Sequence, residues 1–194
     1  MSAETRMRLP PHQRLVDRMP VLHYGPVPRI DLASWDFRLF GLVESEVRWT
    51  YPEFRALPSR EVVCDVHCVT GWSMLDTRWE GAPVQEVMRH VRLKPEARYV
   101  LIHAERGFTA NLPLEVFLAE ENLFAWGYEG RELAPEHGWP LRLVVPSRYF
   151  WKSAKWVRGV EFLDHDEPGF WERAGYHNNA DPWKEERYQR LAEV

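Results

Sequence analysis

Val62-Val63-Cys64-Asp65-Val66-His67-Cys68-Val69-Thr70-Gly71-Trp72-Ser73 is the stretch on which the fold turns. As extended chain it places Val62, Cys64, Val66 and Cys68 on one face and Val63, Asp65, His67 and Val69 on the other. Its valines favour a pleated strand over a helix. The run ends on a cysteine, and a glycine-containing turn follows. Cys68 is therefore expected at the end of a strand, where the chain leaves the sheet and reactive groups are displayed.

Cys64 and Cys68 are the chain's 2 cysteines. On one strand their Cα atoms lie roughly 13 Å apart at about 3.3 Å per residue. A disulfide needs about 7 Å or less. The same geometry argues against a zinc site at Cys64-x-x-His67-Cys68, since an extended chain points these groups to opposite faces.

Outward from this strand the chain reads as short elements. Pro20 to Pro28 holds three prolines and a glycine, so it is an extended segment that packs through Val21, Leu22 and Tyr24. Trp35 to Val43 alternates as a strand. Thr50-Tyr51-Pro52-Glu53 is a capping box opening a short helix that runs to Leu57. Pro83 opens a helix with Val84, Val87, Met88 and Val91 on one stripe. Tyr99 to Ala104, Leu123 to Tyr128, Leu141 to Val145 and Val157 to Asp164 read as strands. Glu129-Gly130 is a hairpin turn, and a short helix with Leu114, Phe117 and Leu118 inward starts at Pro113. Asp181-Pro182 reads as an N-cap and first turn of a polar helix. Strands outnumber helices without alternating regularly with them. The fold class is therefore α+β, a mixed-sheet, barrel-like core with short helices.

The 194 residues predict one domain over 1–194, with an N-terminal arm (1–19, partly disordered) and an aromatic, charged tail (166–194). Net charge is −4, which leaves no electrostatic footprint for nucleic acid or acidic membranes. Met1 to Arg14 has no apolar run, and no stretch is long enough to span a bilayer. A cytoplasmic protein is expected. No Gly-x-Ser-x-Gly elbow and no His-x-x-x-His pair occurs, so hydrolase and two-histidine metal chemistries lack support.

Four ordered pieces carry a family resemblance. They are Gly25-Pro26-Val27-Pro28; Cys68-Val69-Thr70-Gly71-Trp72-Ser73; Phe108 to Leu114 (Phe-Thr-Ala-Asn-Leu-Pro-Leu); and His137 to Pro146 (His-Gly-Trp-Pro-Leu-Arg-Leu-Val-Val-Pro) followed by Lys152-Ser153-Ala154-Lys155. Across roughly residues 20 to 165 the chain resembles the molybdopterin-binding domain of sulfite oxidase-like oxidoreductases, in a compact bacterial form. The resemblance implies that family's fold and one molybdenum held by a pterin dithiolene and by Cys68. It implies that His137, Arg142, Ser153, Ala154 and Lys155 hold the pterin's terminal phosphate, with His23, Tyr24 and Thr109 as further contacts. A soft thiolate suits a heavy redox metal, and Arg and Lys suit phosphate. Cys64 is expected to be a buried, inert thiol.

The implied function is a molybdenum-cofactor-dependent oxidoreductase that transfers an oxygen atom to or from a small or organic oxide. With no Cys-x-x-Cys-His motif and no cysteines left for an iron–sulfur cluster, electrons pass to or from a separate protein. Leu22 and Ser73 stand where sulfite-oxidising members carry arginines, and Trp126 stands at a family active-site tyrosine. An aromatic mouth at Trp72 and Trp126 is thus expected to suit a neutral oxide. The alternatives are a molybdopterin-binding protein with little turnover and a sulfite dehydrogenase.

Overall fold

The computed structural model describes residues 3–189. Residues 1–2 of the expected arm and 190–194 of the tail lie outside the described residues. In chain order the elements are α1 (Ala3–Met7), β1 (Arg14–Leu15), β2 (Asp36–Gly41), β3 (Val47–Thr50), α2 (Tyr51–Arg55), β4 (Arg60–His67), β5 (Trp72–Pro83) and α3 (Val84–Met88). Then come β6 (Tyr99–Ala104), β7 (Thr109–Pro113), α4 (Leu114–Phe117), β8 (Leu123–Tyr128), β9 (Arg131–Glu132), β10 (Arg142–Val144), β11 (Val157–Leu163) and α5 (Phe170–Arg173). Among the described residues no helix is long and apolar enough to cross a membrane.

The strands form two open sheets. One runs β1-β5-β8-β10, with β4 on β5 and β9 on β8; the other runs β3-β2-β11-β6-β7. The barrel-like expectation is corrected by these pairings, because neither sheet closes on itself. β5 explains the openness of the first sheet. One edge carries β4 from Gly81 to Ser73. The other carries β1 at Trp72–Ser73 and β8 at Trp79–Pro83. One long strand thus serves three partners along its length.

β5 escaped the sequence reading because its outward positions are charged and it contains Gly81. In the structure Thr77, Trp79 and Gly81 point inward, while Asp76, Arg78 and Glu80 are exposed. Gly81 is required by packing: a Cβ there would lie 2.0 Å from the Phe124 carbonyl oxygen and 2.7 Å from the Ala125 Cα.

Two apolar clusters fill the interior. The larger is built on Trp35, Phe37, Phe54, Phe117, Phe124 and Phe162. The smaller surrounds Cys68 with Met19, Val66, Val69, Trp72, Trp79 and Tyr149. The capping box at Thr50 and Glu53 is present, but α2 ends at Arg55, short of Leu57.

The two ends of the described chain behave differently. The described part of the N-terminal arm is ordered: Arg8 pairs with Asp65 at 2.5 Å and with Asp76 at 2.6 Å. Among the described residues no helix follows Asp181-Pro182. The Asp181 carboxylate accepts from Trp183 N at 2.9 Å, and Glu185 adopts a left-handed φ of 54°. Glu186 then turns back to accept from Asp181 N at 3.0 Å. These local bonds compete with a helix and win.

Gly81→Ala is expected to lose about 3 kcal/mol or more of stability through overpacking against the β8 backbone. Urea unfolding monitored by circular dichroism checks this.

Candidate functional site

β4 delivers Cys68 to a tight turn. Cys68 N donates to Trp72 O at 2.8 Å, and Gly71 N donates to Cys68 O at 3.0 Å. Gly71 takes φ 89°, a left-handed value that glycine adopts freely. The turn is braced from outside by both ends of the chain. Arg14 N donates to Gly71 O at 3.0 Å. Gln13 Nε2 donates to Cys68 O at 3.0 Å. The Arg187 guanidinium donates to Val69 O. Behind the turn His67 Nδ1 lies 2.8 Å from Ser73 Oγ. Burial pushes the His67 imidazole down to about 4, so it is neutral there.

Cys68 itself is buried, with Sγ 3.2 Å from Thr70 Oγ1. Burial raises its thiol pKa; the Thr70 hydrogen bonds and the charges of Arg187 and Lys155 act in the opposite direction. As a free thiol it is a poor nucleophile. A bound metal would reverse that balance by deprotonating it outright.

β10 and the loop before β11 build a cationic cradle. Arg142 is fully buried. Its Nη1 donates to His137 O and its Nη2 to Ser153 O, each at 2.9 Å. Its guanidinium lies 4.4 Å from the Phe150 ring centroid and 5.0 Å from that of Trp79. No carboxylate pairs with it among the described residues, and its Nε has no partner. Burial drives its pKa down to about 9. Lys155 donates to Leu22 O at 2.8 Å and Glu136 O at 2.6 Å, again to carbonyls. Burial, and then repulsion by Arg142, push Lys155 down to about 7. Gly138 lets the two basic residues approach, since a Cβ there would lie 3.0 Å from Arg142 Cβ and 3.2 Å from Lys155 Cβ. A fully buried cation beside a half-buried one, both without counter-charge, is unfavourable unless an anion joins them.

The cysteine turn and the cradle face one cavity of about 500 Å³. It is lined by His23, Tyr24, Cys68, His137, Arg142, Ser153, Ala154 and Lys155, eight of the ten residues singled out in the sequence. Thr109 is not in the lining; it is buried on β7, its hydroxyl accepting from Arg173 Nη2 at 3.4 Å, while its neighbour Phe108 takes the cavity position. The structure also keeps Trp126 out of the cavity. β8 turns that side chain into the larger core, with the Arg55 guanidinium 4.2 Å from its ring centroid and Phe54 beside it. The mouth expected at Trp126 is therefore not there, whereas Trp72 does line the cavity. Ser73 points away from it to His67. Cys64 is half-buried and outside the lining, and the burial of its thiol pushes its pKa up to about 11.

The sequence reading missed Met19, Glu105, Arg106, Phe108, Phe150, Trp156 and the tail aromatics as lining residues. Only the aromatic density after Pro168 hinted at the tail's part.

The donor set fits a pterin-borne metal. No three His, Cys, Asp or Glu side chains come together as metal ligands among the described residues. A metal at Cys68 would therefore take its other donors from the bound cofactor. The cradle meanwhile supplies cations and backbone groups for a phosphate.

Residues 24–171 match the family described as the oxidoreductase molybdopterin binding domain. The chain is 47% identical over 182 residues to the uncharacterized oxidoreductase YuiH of Bacillus subtilis, covering 93% of this chain and 92% of that protein. It is 27% identical over 171 residues to a protein-methionine-sulfoxide reductase catalytic subunit of Gluconobacter oxydans, covering 76% of this chain and 54% of that one. It spans only about half the length of that reductase. The sulfane dehydrogenase SoxCD of Paracoccus pantotrophus shares the fold, with a TM-score of 0.67 at 20% identity, over 74% of this chain and 42% of that one.

The lowered Lys155 pKa sets a pH dependence. Its folded value near 7 lies below the ordinary 10.5, so the unfolded chain binds the proton first as pH falls. Stability of the cofactor-free protein should decline from about pH 10.5 to about pH 7 and level off below. Inorganic phosphate in the cradle should raise the folded pKa and flatten that slope. Arg142→Gln should remove the phosphate effect. Thermal melts across this range, with and without phosphate, check both.

Proposed function

The chain belongs to the oxidoreductase molybdopterin-binding domain family, and on that premise we propose that it reduces a small or organic oxide by oxygen-atom transfer, drawing electrons from a separate electron-transfer protein. It is a molybdopterin-dependent oxidoreductase, and its cofactor is molybdenum–molybdopterin. The observation that carries the reading is the unpaired, fully buried Arg142 in the same cavity as Cys68. Such a guanidinium suits the terminal phosphate of the pterin, with Lys155, His137 and the Ser153–Ala154 backbone beside it. Cys68 would hold the molybdenum.

When bound, this cofactor supplies a metal able to move an oxygen atom together with two electrons. The chain's own residues do the rest. The braced turn fixes Cys68 Sγ in position. Met19, Val69 and Trp72 share an apolar cluster with Cys68 and limit water around it. Leu22 adds an apolar side chain to the lining. Glu105 is neutralised by Arg158 at 2.6 Å, and Arg106 is exposed. An apolar lining penalises a sulfite anion more than a neutral oxide, because burying a charge costs more than burying a dipole. For a sulfoxide the balance is R₂SO + 2e⁻ + 2H⁺ → R₂S + H₂O. The electrons come from a partner protein, since the two cysteines cannot hold a cluster of their own.

Protein purified from a molybdopterin-producing host should carry near-stoichiometric molybdenum and reduce sulfoxides or N-oxides with a reduced viologen as donor. Cys68→Ser should lose the thiolate-to-metal absorption band and more than about 100-fold in turnover, beyond the loss typical of a residue that merely supports a ligand. Loaded protein that oxidises sulfite and reduces no oxide would overturn the proposal.

A further inference from the structure

One side of the cavity is an unbroken series of aromatic rings. Phe108 meets Phe170 at 5.5 Å, and Phe170 meets Trp171 at 5.2 Å, centroid to centroid. Trp171 meets Tyr176 at 5.0 Å, and Tyr176 meets Trp151 at 5.0 Å. Tyr24 closes over Phe170 at 5.1 Å and Trp171 at 6.1 Å. All six line the cavity. None is fully buried, and Tyr24 is 69% exposed. The rings therefore mark the cavity's solvent side, whereas Trp72 and Trp156 on the same cavity are buried.

The series is also held rigidly from behind. Glu172, on the one-turn helix that carries Phe170 and Trp171, is fully buried and pairs with Lys152 Nζ at 2.6 Å. The same carboxylate oxygen accepts from Trp151 Nε1 at 2.7 Å. Lys152 in turn donates to Asn111 O at 2.9 Å and Asn111 Oδ1 at 2.8 Å. One buried ion pair thus fixes three of the rings. Rings prearranged at these spacings accept a further ring in offset or edge-to-face contact at little ordering cost.

Resting on the oxide-reductase reading above, we infer that this aromatic wall, with Trp171 and Phe170 at its centre, selects oxides whose oxygen-bearing atom carries an aryl group over small aliphatic oxides. The cationic cradle and Cys68 account for the anionic and metal-binding ends of the cofactor. The rings on the solvent side are left to the substrate.

The test uses the cofactor-loaded enzyme with methyl phenyl sulfoxide and dimethyl sulfoxide as the two substrates, and Trp171→Ala and Trp171→Phe as variants. The wild type should prefer the aryl sulfoxide in kcat/KM, and methyl phenyl sulfoxide should quench its tryptophan fluorescence saturably. Trp171→Ala should lower the aryl-to-methyl preference about tenfold, roughly one aromatic contact. Trp171→Phe should restore most of it. Both variants should keep their molybdenum and pterin. Loss of pterin in Trp171→Ala but not in Trp171→Phe would overturn the inference, because the wall would then serve the cofactor. So would a wild type that shows no aryl preference or no saturable quenching. Loaded wild type that reduces neither sulfoxide yet binds the aryl compound would uphold the wall and overturn the oxide-reductase reading instead.

Discussion

A guanidinium taken out of water without a counter-charge is the constraint around which this molecule is arranged. Arg142 is fully buried, donates only to carbonyls and keeps one nitrogen unpartnered. Nearby Lys155 is half-buried and likewise donates to carbonyls. Such a cradle destabilises the empty fold, and removing one partner of a buried pair typically costs about 3–5 kcal/mol. The surroundings are built to bear that. Phe150 and Trp79 both lie against the guanidinium, and Gly138 leaves room for both basic side chains. The contrast with Lys152 and Glu172 is instructive. There a buried cation has its own carboxylate and two acceptor oxygens on Asn111, the carboxylate also accepts from Trp151, and the pair serves architecture. The difference between a structural and a ligand-binding cation is the presence of an anion within the chain.

The second organising feature is the cysteine turn. Its bracing groups come from Gln13, Arg14 and Arg187, which lie far away in sequence. β4 delivers the thiol, but the two ends of the chain hold it. The aromatic tail is likewise part of the cavity wall. A domain of this size thereby gains a deep cleft without a second domain to form the other side.

The fold was legible where local signals were strong. β6 and β8 coincide with runs of β-branched and aromatic residues whose limits are marked by turns. The cradle and the cysteine were legible through ordered motifs. What failed did so for identifiable reasons. β5 hid because Asp76, Arg78 and Glu80 face outward and break any apolar run. Trp126 was expected at the mouth from its position in a motif, yet β8 aims it at Phe54 and Arg55. Which face of a strand looks into a cavity depends on its neighbours, and the neighbour here was the strand that went unread. After Asp181-Pro182, a capping signal was overridden by Glu186 folding back onto Asp181.

The bracing of the cysteine turn also has a direction in time. Arg187 follows Val69 by 118 residues. During synthesis the turn exists long before the side chain that clamps it. Gln13 and Arg14, by contrast, precede the turn and are available at once. One brace of the thiol is therefore present early and the other late. The Arg187 contact beside Cys68 can form only after the 118 residues that follow Val69 have been added.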